Sequence, residues 1–437
     1  MLKYIVKSRF LWPWIAGLLI SPSAVFSRPL KCEISAPYAI LINADTGRIL
    51  YEKNARVPTC PASTTKIGTA LYSLHLKGDR LEDRVIISAN AVATVAPSLR
   101  RGGKHPSYRL EVGGSHMNLK PGESIPFNTL LYGLLVSSSN DAANAIAEYT
   151  SGSVAEFMQG MNRYLRSIGC EHTHFQNPHG LPDPDHVTTA YDLAQIALFA
   201  MKHPFFSNAV QLKRYVRPKT NKQEESVLLQ SNALLKQGKF FYPYAIGIKT
   251  GYTVAAGSNL VAAAENGGRK VIAVVLNCTD STQRYRSCID LFEAAFNEVK
   301  VERKLFSKEY DSFFCILDGA TSRLEGVLLR DISLEYYPSE ASELSATCHW
   351  YKKELPIKKG DQVGEIQVMN ASGKCLLTEA VLAKNHVEPT ISYQFMSSAT
   401  DVLFFVKKHK QYIGAILGLA VLLISYSRFR QKGKITG

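Results

Sequence analysis

The sequence predicts an α+β domain built on an antiparallel sheet, followed by a small β-rich domain, with an apolar segment at each end of the chain. Three observations lead there. Apolar strands occur near the start (Tyr38 to Asn43, Arg48 to Glu52) and return after Gly247. The stretch between them carries apolar residues mostly at helical spacing. From about residue 300, short strands follow one another closely. Strands from the two ends of a helical middle are expected to share one sheet.

The elements follow in order. Lys3, Lys7 and Arg9 form a charged region, Phe10 to Ile20 an apolar run, and Val25 and Ser27 the small residues before a cut, as in a secretory signal. The other reading is an uncleaved anchor, for which the run is short. The hairpin turns at Asp45-Thr-Gly47. Pro61-Ala-Ser63 leads into a buried helix over Thr64 to Leu76, with Ile67, Ala70, Leu71 and Leu74 at helical spacing. Further helices are expected at Leu130 to Val136, Asp141 to Tyr149, Val154 to Ser167 and Thr189 to Ala200. Strands then run over Ala245 to Thr250, Asn259 to Glu265 and Val271 to Asn277, the last two joined by Gly267-Gly268. The β-rich region includes Phe313 to Leu317, Ser333 to Tyr337, Gln362 to Val368 and Leu376 to Leu382.

A chain of 437 residues implies two or three folded units, and its nearly half hydrophobic composition supplies a core. The formal charge of +14 is distributed unevenly. Residues 1–27 hold three of these positive charges and residues 402–437 hold seven (Lys407, Lys408, Lys410, Arg428, Arg430, Lys432, Lys434), with no acid in either, so the body carries only +4. Basicity beside apolar runs points to a membrane surface, and no nucleic-acid footprint is expected on the body. The run Tyr412 to Ser427 contains no charge and is basic on both sides, which favours a span over a helix lying in the interface.

Eight cysteines lack C-x-x-C spacing, and the eleven histidines contain no H-E-x-x-H, so neither a metal nor another cofactor is expected. Cys278 and Cys288 are a candidate local disulfide, with free buried thiols as the other reading. His179 is read as shaping a loop, and Asp183 and Asp185, flanked by prolines, as turn acids.

The chemistry lies in three short motifs: Ser63-Thr64-Thr65-Lys66 at a helix start, Ser138-Ser139-Asn140 in a break between helices, and Lys249-Thr250-Gly251 on a strand. A serine hydroxyl needs a base to become a nucleophile. Residues i and i+3 share a helix face, so Lys66 reaches Ser63. Lys66 serves as base only when neutral, and burial with positive charge from Lys249 favours that state. Ser138 can relay a proton to the leaving amine, and Asn140 can orient Lys66 or the substrate amide. Lys249 and Thr250 offer donors to a carboxylate. Gly251 lets an extended peptide lie against the strand, and backbone N–H groups near Ser63 and Tyr252 are candidate oxyanion donors. The chain has one Ser-x-x-Lys and one Lys-Thr-Gly; Ser88-Ala-Asn90 repeats the second motif but reads as a strand-end turn.

These residues resemble the penicillin-binding proteins and serine β-lactamases, which use S-x-x-K, S-x-N and K-T-G in this order. The blocks Pro61-Ala-Ser-Thr-Thr-Lys66, Leu119-Lys-Pro-Gly122, Ser138-Ser-Asn-Asp141, His174-Phe-Gln-Asn-Pro-His-Gly-Leu181 and Gly247-Ile-Lys-Thr-Gly-Tyr-Thr253 are most similar to the low-molecular-mass penicillin-binding proteins, the serine-type D-Ala-D-Ala carboxypeptidases. The resemblance implies a β-lactamase/penicillin-binding transpeptidase-like catalytic domain with an antiparallel sheet and a helical subdomain. It implies a layout of signal peptide (1–27), catalytic domain (28–298), small β-rich domain (299–392), linker (393–411), membrane-anchoring helix (412–427) and basic cytoplasmic tail (428–437). It further implies acylation of Ser63 by peptidoglycan stem peptides ending in D-Ala-D-Ala, covalent trapping by β-lactams, and an extracytoplasmic site at the cell membrane. Arg284 falls where the family places an arginine for the substrate carboxylate. Ser139 stands where the family usually has glycine, and Tyr252 where many members have histidine. The alternatives are a class A-like β-lactamase, a D,D-endopeptidase and a non-enzymatic penicillin sensor. No E-x-x-L-N block precedes Lys249, and only about ten residues follow the apolar run, which argues against the first and last.

Overall fold

The structure is a computed structural model that describes residues 19–20, 28–101, 104–351, 354–396 and 407–408. The chain divides into two compact units, one of residues 27–300 with 337–340, the other of the remainder.

The first unit is organised by a five-stranded antiparallel sheet. The expected hairpin is present as β1 (Tyr38–Asn43) and β2 (Ile49–Lys53). Three longer strands come from far along the chain: β3 (Ala245–Thr253), β4 (Gly257–Asn266) and β5 (Arg269–Cys278). The order is β3-β4-β5-β1-β2, so the N-terminal hairpin adds to the C-terminal strands and β3 forms an edge. Gly267 and Gly268, at φ of +57° and +78°, make the turn between β4 and β5, a conformation that glycine adopts without steric penalty.

Both faces of the sheet are covered, which explains why β4 and β5 read as nearly continuous apolar runs. Alternate residues serve different cores. Ile40, Ile42, Val261, Ala263, Ile272 and Val274 pack with α1 (Thr65–Lys77) and the other helices of the middle region. Ala39, Leu41, Leu260, Ala262, Ala273 and Val275 pack instead with the C-terminal helix of the unit.

The longer helices of the middle region are α2 (Phe127–Leu135), α3 (Asn140–Ser151), α4 (Val154–Ser167), α5 (Ala190–Met201) and α6 (Pro204–Gln211); α7 (Ser281–Phe296) covers the opposite face. The four helices placed in this region from the sequence are all present. The region also holds two antiparallel ribbons, Arg84–Ile86 with Ser124–Pro126 and Arg214–Arg217 with Ser226–Leu229; the sequence reads Arg84 to Ile87 as strand-like, and helical periodicity did not reveal the other three strands. Ser88 and Asn90 sit in a turn after the first, where both bond to Glu148. All eight cysteines are free; Cys278 and Cys288 are buried but unjoined.

The second unit is β-rich, as expected. It contains β6 (Val301–Phe306), β7 (Ser312–Cys315), β8 (Leu324–Leu328), β9 (Ile332–Tyr336), β10 (Leu344–Trp350), β11 (Gln362–Asn370) and β12 (Cys375–Ala383). Its main sheet runs β10-β11-β12-β8-β7, with Leu19–Ile20 paired to β10, and β6 pairs with β9. Phe306, Phe313, Ile366, Val368 and Val381 form its core. No helix among the described residues is long and apolar enough to cross a membrane. The apolar run 412–427 and nearly all of the signal segment lie outside the described residues.

Candidate active site

The site begins where the chain leaves Pro61. A short 3-10 turn, Ala62–Thr64, passes directly into α1. Ser63 lies in that turn and Lys66 in the first turn of α1, so the three-residue spacing brings both side chains to one side. Ala62 has φ of +51°, a left-handed conformation that costs a residue with a Cβ roughly 1–2 kcal/mol. Strain of this kind collects at functional turns whose surroundings hold it in place.

Lys66 is fully buried. Its Nζ lies 2.8 Å from Ser63 Oγ, 2.7 Å from Asn140 Oδ1 and 2.8 Å from the His179 carbonyl. The Asn140 and His179 oxygens can only accept, so they take two N–H bonds. A neutral amine has only two, which leaves its lone pair for the Ser63 hydroxyl proton. Burial drives the Lys66 pKa well below the usual lysine value, and the Lys249 charge pushes it the same way, against a smaller upward pull from Asp141.

Asn140 is the first residue of α3, and its backbone N–H bonds to Ser115 O at 2.8 Å. The next residue, Asp141, accepts from Met117 N at 3.1 Å and Leu119 N at 3.0 Å, tying the preceding loop to the helix start. Ser138 is nearly buried, with φ of +64°. Ser139 is fully buried and pairs through Oγ with Ser137 Oγ at 2.8 Å.

The third motif lies on edge strand β3 beside this turn. A Cβ placed on Gly251 would stand 2.9 Å from Pro61 O and 3.1 Å from Ser63 N, so only glycine allows the strand this close. Lys249 is fully buried, and its Nζ donates to Thr250 O at 2.9 Å. Burial, with the Arg284 charge, lowers its pKa to about 7. Thr250 Oγ1 lies 2.8 Å from Ser231 Oγ. Tyr252 is largely exposed. Arg284, on α7, donates to Gly251 O at 3.2 Å, so it meets the same strand from behind.

Sequence reasoning missed several groups that hold the site. The His179 carbonyl on Lys66 was not anticipated, although His179 was read as shaping a nearby loop. Its ring is buried and neutral: Nε2 donates to Tyr108 O at 3.1 Å, Nδ1 accepts from Leu181 N at 3.2 Å, and burial lowers its pKa well below the usual value. Gly180, at φ of +89°, lies so close to the turn that a Cβ there would sit 1.9 Å from Ala62 O. His186 Nε2 donates to Thr65 Oγ1 at 2.9 Å, which in turn donates to Ala62 O at 2.8 Å. Burial takes the His186 pKa down to about 3, so this bond holds across neutral pH. The contacts of His179 with Lys66 and Tyr108, of Gly180 with Ala62 and of His186 with Thr65 have no local signal, because each joins residues far apart in the chain. A hollow of about 870 Å³ between α4 and the 106–108 and 174–176 segments holds none of the three motifs. Among the described residues, no cluster of three His, Cys, Asp or Glu side chains is placed to hold a metal ion.

Comparison with known proteins agrees with this geometry. Residues 24–280 match the D-alanyl-D-alanine carboxypeptidase family, and residues 315–389 match the C-terminal domain of penicillin-binding protein 5. The chain is 30% identical to D-alanyl-D-alanine carboxypeptidase DacF of Bacillus subtilis, over 85% of this chain and 92% of that protein. It is 29% identical to DacA of Escherichia coli K12, over 76% of this chain and 79% of that protein. Among solved structures, the carboxypeptidase DacD of Francisella tularensis aligns with a TM-score of 0.56 and 26% identity, covering 83% of this chain and 96% of that one. The Streptomyces K15 DD-transpeptidase aligns with a TM-score of 0.53 and 30% identity, covering 61% of this chain and 98% of that one. With the antiparallel sheet, the β-rich second unit and a serine-lysine pair at the head of α1, these matches establish that the chain belongs to the D-alanyl-D-alanine carboxypeptidase family of serine hydrolases.

Proposed function

We propose that the chain removes the terminal D-alanine from peptidoglycan pentapeptides through an acyl-enzyme on Ser63, and that β-lactams acylate the same serine. The reading is carried by the Lys66 amine, held by two obligate acceptors with Ser63 Oγ at 2.8 Å as its third neighbour. Neutral Lys66 takes the Ser63 proton as Oγ attacks the carbonyl carbon of the penultimate D-alanine. The Ser63 and Tyr252 N–H groups receive the oxyanion, and Ser138 passes the proton to the leaving amine as the peptide C–N bond breaks. Water then attacks the ester with Lys66 again as base, releasing the shortened peptide and restoring the Ser63 hydroxyl. Asn140 orients Lys66. Lys249 and Thr250, with Arg284 behind the strand, receive the substrate's terminal carboxylate. A charge-assisted hydrogen bond suits that group, and substrate binding then favours protonated Lys249.

The domain bounds are proposed at 28–298 and 299–392, linked by 393–411 to a membrane-anchoring helix at 412–427 with a basic tail at 428–437. A cleaved signal at 1–27 places the catalytic domain outside the cytoplasm. The charge pattern at each end supports this layout.

The test is direct. Purified protein is incubated with a pentapeptide ending in D-Ala-D-Ala, with a cross-linked dimer, and with a fluorescent penicillin. The wild type releases D-alanine from the pentapeptide and is labelled; Ser63→Ala does neither. Labelling of Ser63→Ala removes the nucleophile assignment, and product from the dimer alone replaces carboxypeptidase by endopeptidase.

A further inference from the structure

We propose that Asn259 is a positioning residue that sets the width of the oxyanion hole by tying the Ser63 turn to the sheet. The proposal rests on the acyl-enzyme reading above. It concerns a residue outside all three motifs, on β4, the strand behind Lys249-Thr250-Gly251.

The Asn259 side chain is fully buried and uses its polar atoms on the two neighbouring elements. Nδ2 donates to the Cys60 carbonyl and the Pro61 carbonyl, each at 2.9 Å. Oδ1 accepts from Asn277 N at 2.7 Å. One amide therefore grips two successive carbonyls of the catalytic turn and anchors itself to β5. The sheet is shaped to permit this. Ser258 pairs with Cys278 but Leu260 pairs with Val275, so β5 carries one extra residue opposite Asn259, a β-bulge. Asn277 in that bulge has φ of +56°, and its N–H reaches the Asn259 amide.

The two candidate oxyanion donors belong to different elements. Ser63 N lies on the turn, Tyr252 N on β3. Gly251, next to Tyr252, pairs in register with Asn259. The same residue therefore holds the first donor through its side chain and neighbours the second through its backbone. Arg284 adds a cross-brace, donating to Gly251 O at 3.2 Å. Without the Asn259 amide, the Cys60 and Pro61 carbonyls lose their tie to the sheet. The left-handed Ala62 between them and Ser63 can then relax, shifting the Ser63 N–H from its place opposite Tyr252.

An effect on the hole is an effect on the transition state. Loss of one oxyanion donor costs roughly 10²–10³ in rate, so misplacing one should approach that range. Full-length Asn259→Ala and the volume-conserving Asn259→Asp are compared with wild type, each rate normalised to the folded fraction from thermal melting. Three quantities are read: the rate of acylation by a fluorescent penicillin, kcat and KM for D-alanine release, and affinity for a peptidyl boronic acid, whose tetrahedral adduct places an oxygen in the hole. Expected are a fall of about 30-fold or more in acylation rate and kcat, a matching loss of boronate affinity, and a KM within about threefold of wild type. Acylation within threefold of wild type for both folded variants overturns the proposal. So does a rise in KM with unchanged kcat, or a boronate affinity that does not follow kcat. Failure of the wild type itself to acylate or release D-alanine instead brings down the function on which the proposal rests.

Discussion

Lys66 and Lys249 are both fully buried and both held in a state that water would not favour. For Lys249 the folded pKa is about 7, against 10.5 for the free side chain. Between those values the unfolded chain binds more protons than the folded one, so this group makes stability rise with pH across the window. The same burial is a cost at pH 7 that an apolar side chain would not carry. Lys249→Met should therefore be more stable than wild type at pH 7, by roughly 2–4 kcal/mol, and that advantage should shrink as pH approaches 10. Urea midpoints at pH 7 and pH 10 for both proteins check this; an advantage that stays constant with pH would refute the linkage. The variant should also lose most D-alanine release, because the carboxylate loses its cation. At this scale the motifs were readable because i and i+3 on a helix dictate a shared side, whatever the rest of the fold. Gly180 and the His179 carbonyl were not, because close approach between distant segments leaves no mark on local spacing.

Among the elements, α3 shows how a secondary-structure boundary fixes the place of a side chain in the candidate site. Its first residue, Asn140, meets Lys66, and its second, Asp141, accepts two loop amides from Met117 and Leu119. Asp141→Ala would leave both buried amides unmatched, at about 1–3 kcal/mol each, and would free the helix start that aims Asn140. A drop in stability of roughly 2–4 kcal/mol with at least tenfold slower penicillin acylation is expected from melting and labelling kinetics. Asp141→Asn removes the charge and keeps one of the two acceptor oxygens, the other being replaced by an NH2 that cannot accept. Asp141 pulls the Lys66 pKa upward, so its neutralisation should lower that pKa further. The acid limb of the acylation–pH profile should then move to lower pH; a limb that stays put or moves up would sink the idea. Helices with apolar periodicity and clear caps were placed well from sequence. For α4 the predicted and observed span coincide, with Ser153 accepting from Glu156 N at its start. β6 escaped notice for the opposite reason: half of Val301-Glu-Arg-Lys-Leu-Phe306 is charged and only Phe306 is buried, so no alternation sets a period.

At the scale of the whole molecule, the catalytic unit is not a continuous stretch of chain. Residues 337–340 belong to it although β6 to β9 intervene. They surround Arg269, at the start of β5, which is almost fully buried. Its Nε donates to Glu340 Oε1 at 2.7 Å, and its Nη2 donates to Glu298 Oε2 at 2.9 Å and Ser339 Oγ at 3.1 Å. Tyr337 places its ring 3.8 Å from the guanidinium carbon. Glu340 also accepts from Asn43 on β1 at 3.0 Å, so this short return bridges β5 and β1, neighbouring strands of the sheet. A fragment ending at residue 300 keeps all three motifs but leaves Arg269 with Glu298 as its only acidic partner. Breaking one side of a buried ion pair typically destabilises by about 3–5 kcal/mol, and the surviving carboxylate should bring the loss to the lower part of that range. Fragment 28–300 should thus still be acylated by penicillin, since nothing in the Ser63 turn touches 337–340, yet melt well below the catalytic transition of the full chain. Arg269→Met in the fragment should recover part of the difference by removing the under-partnered charge. In the full chain, where the charge is satisfied, the same substitution should destabilise. If Arg269→Met shifts melting in the same direction in both contexts, residues 337–340 are not what holds that arginine in place.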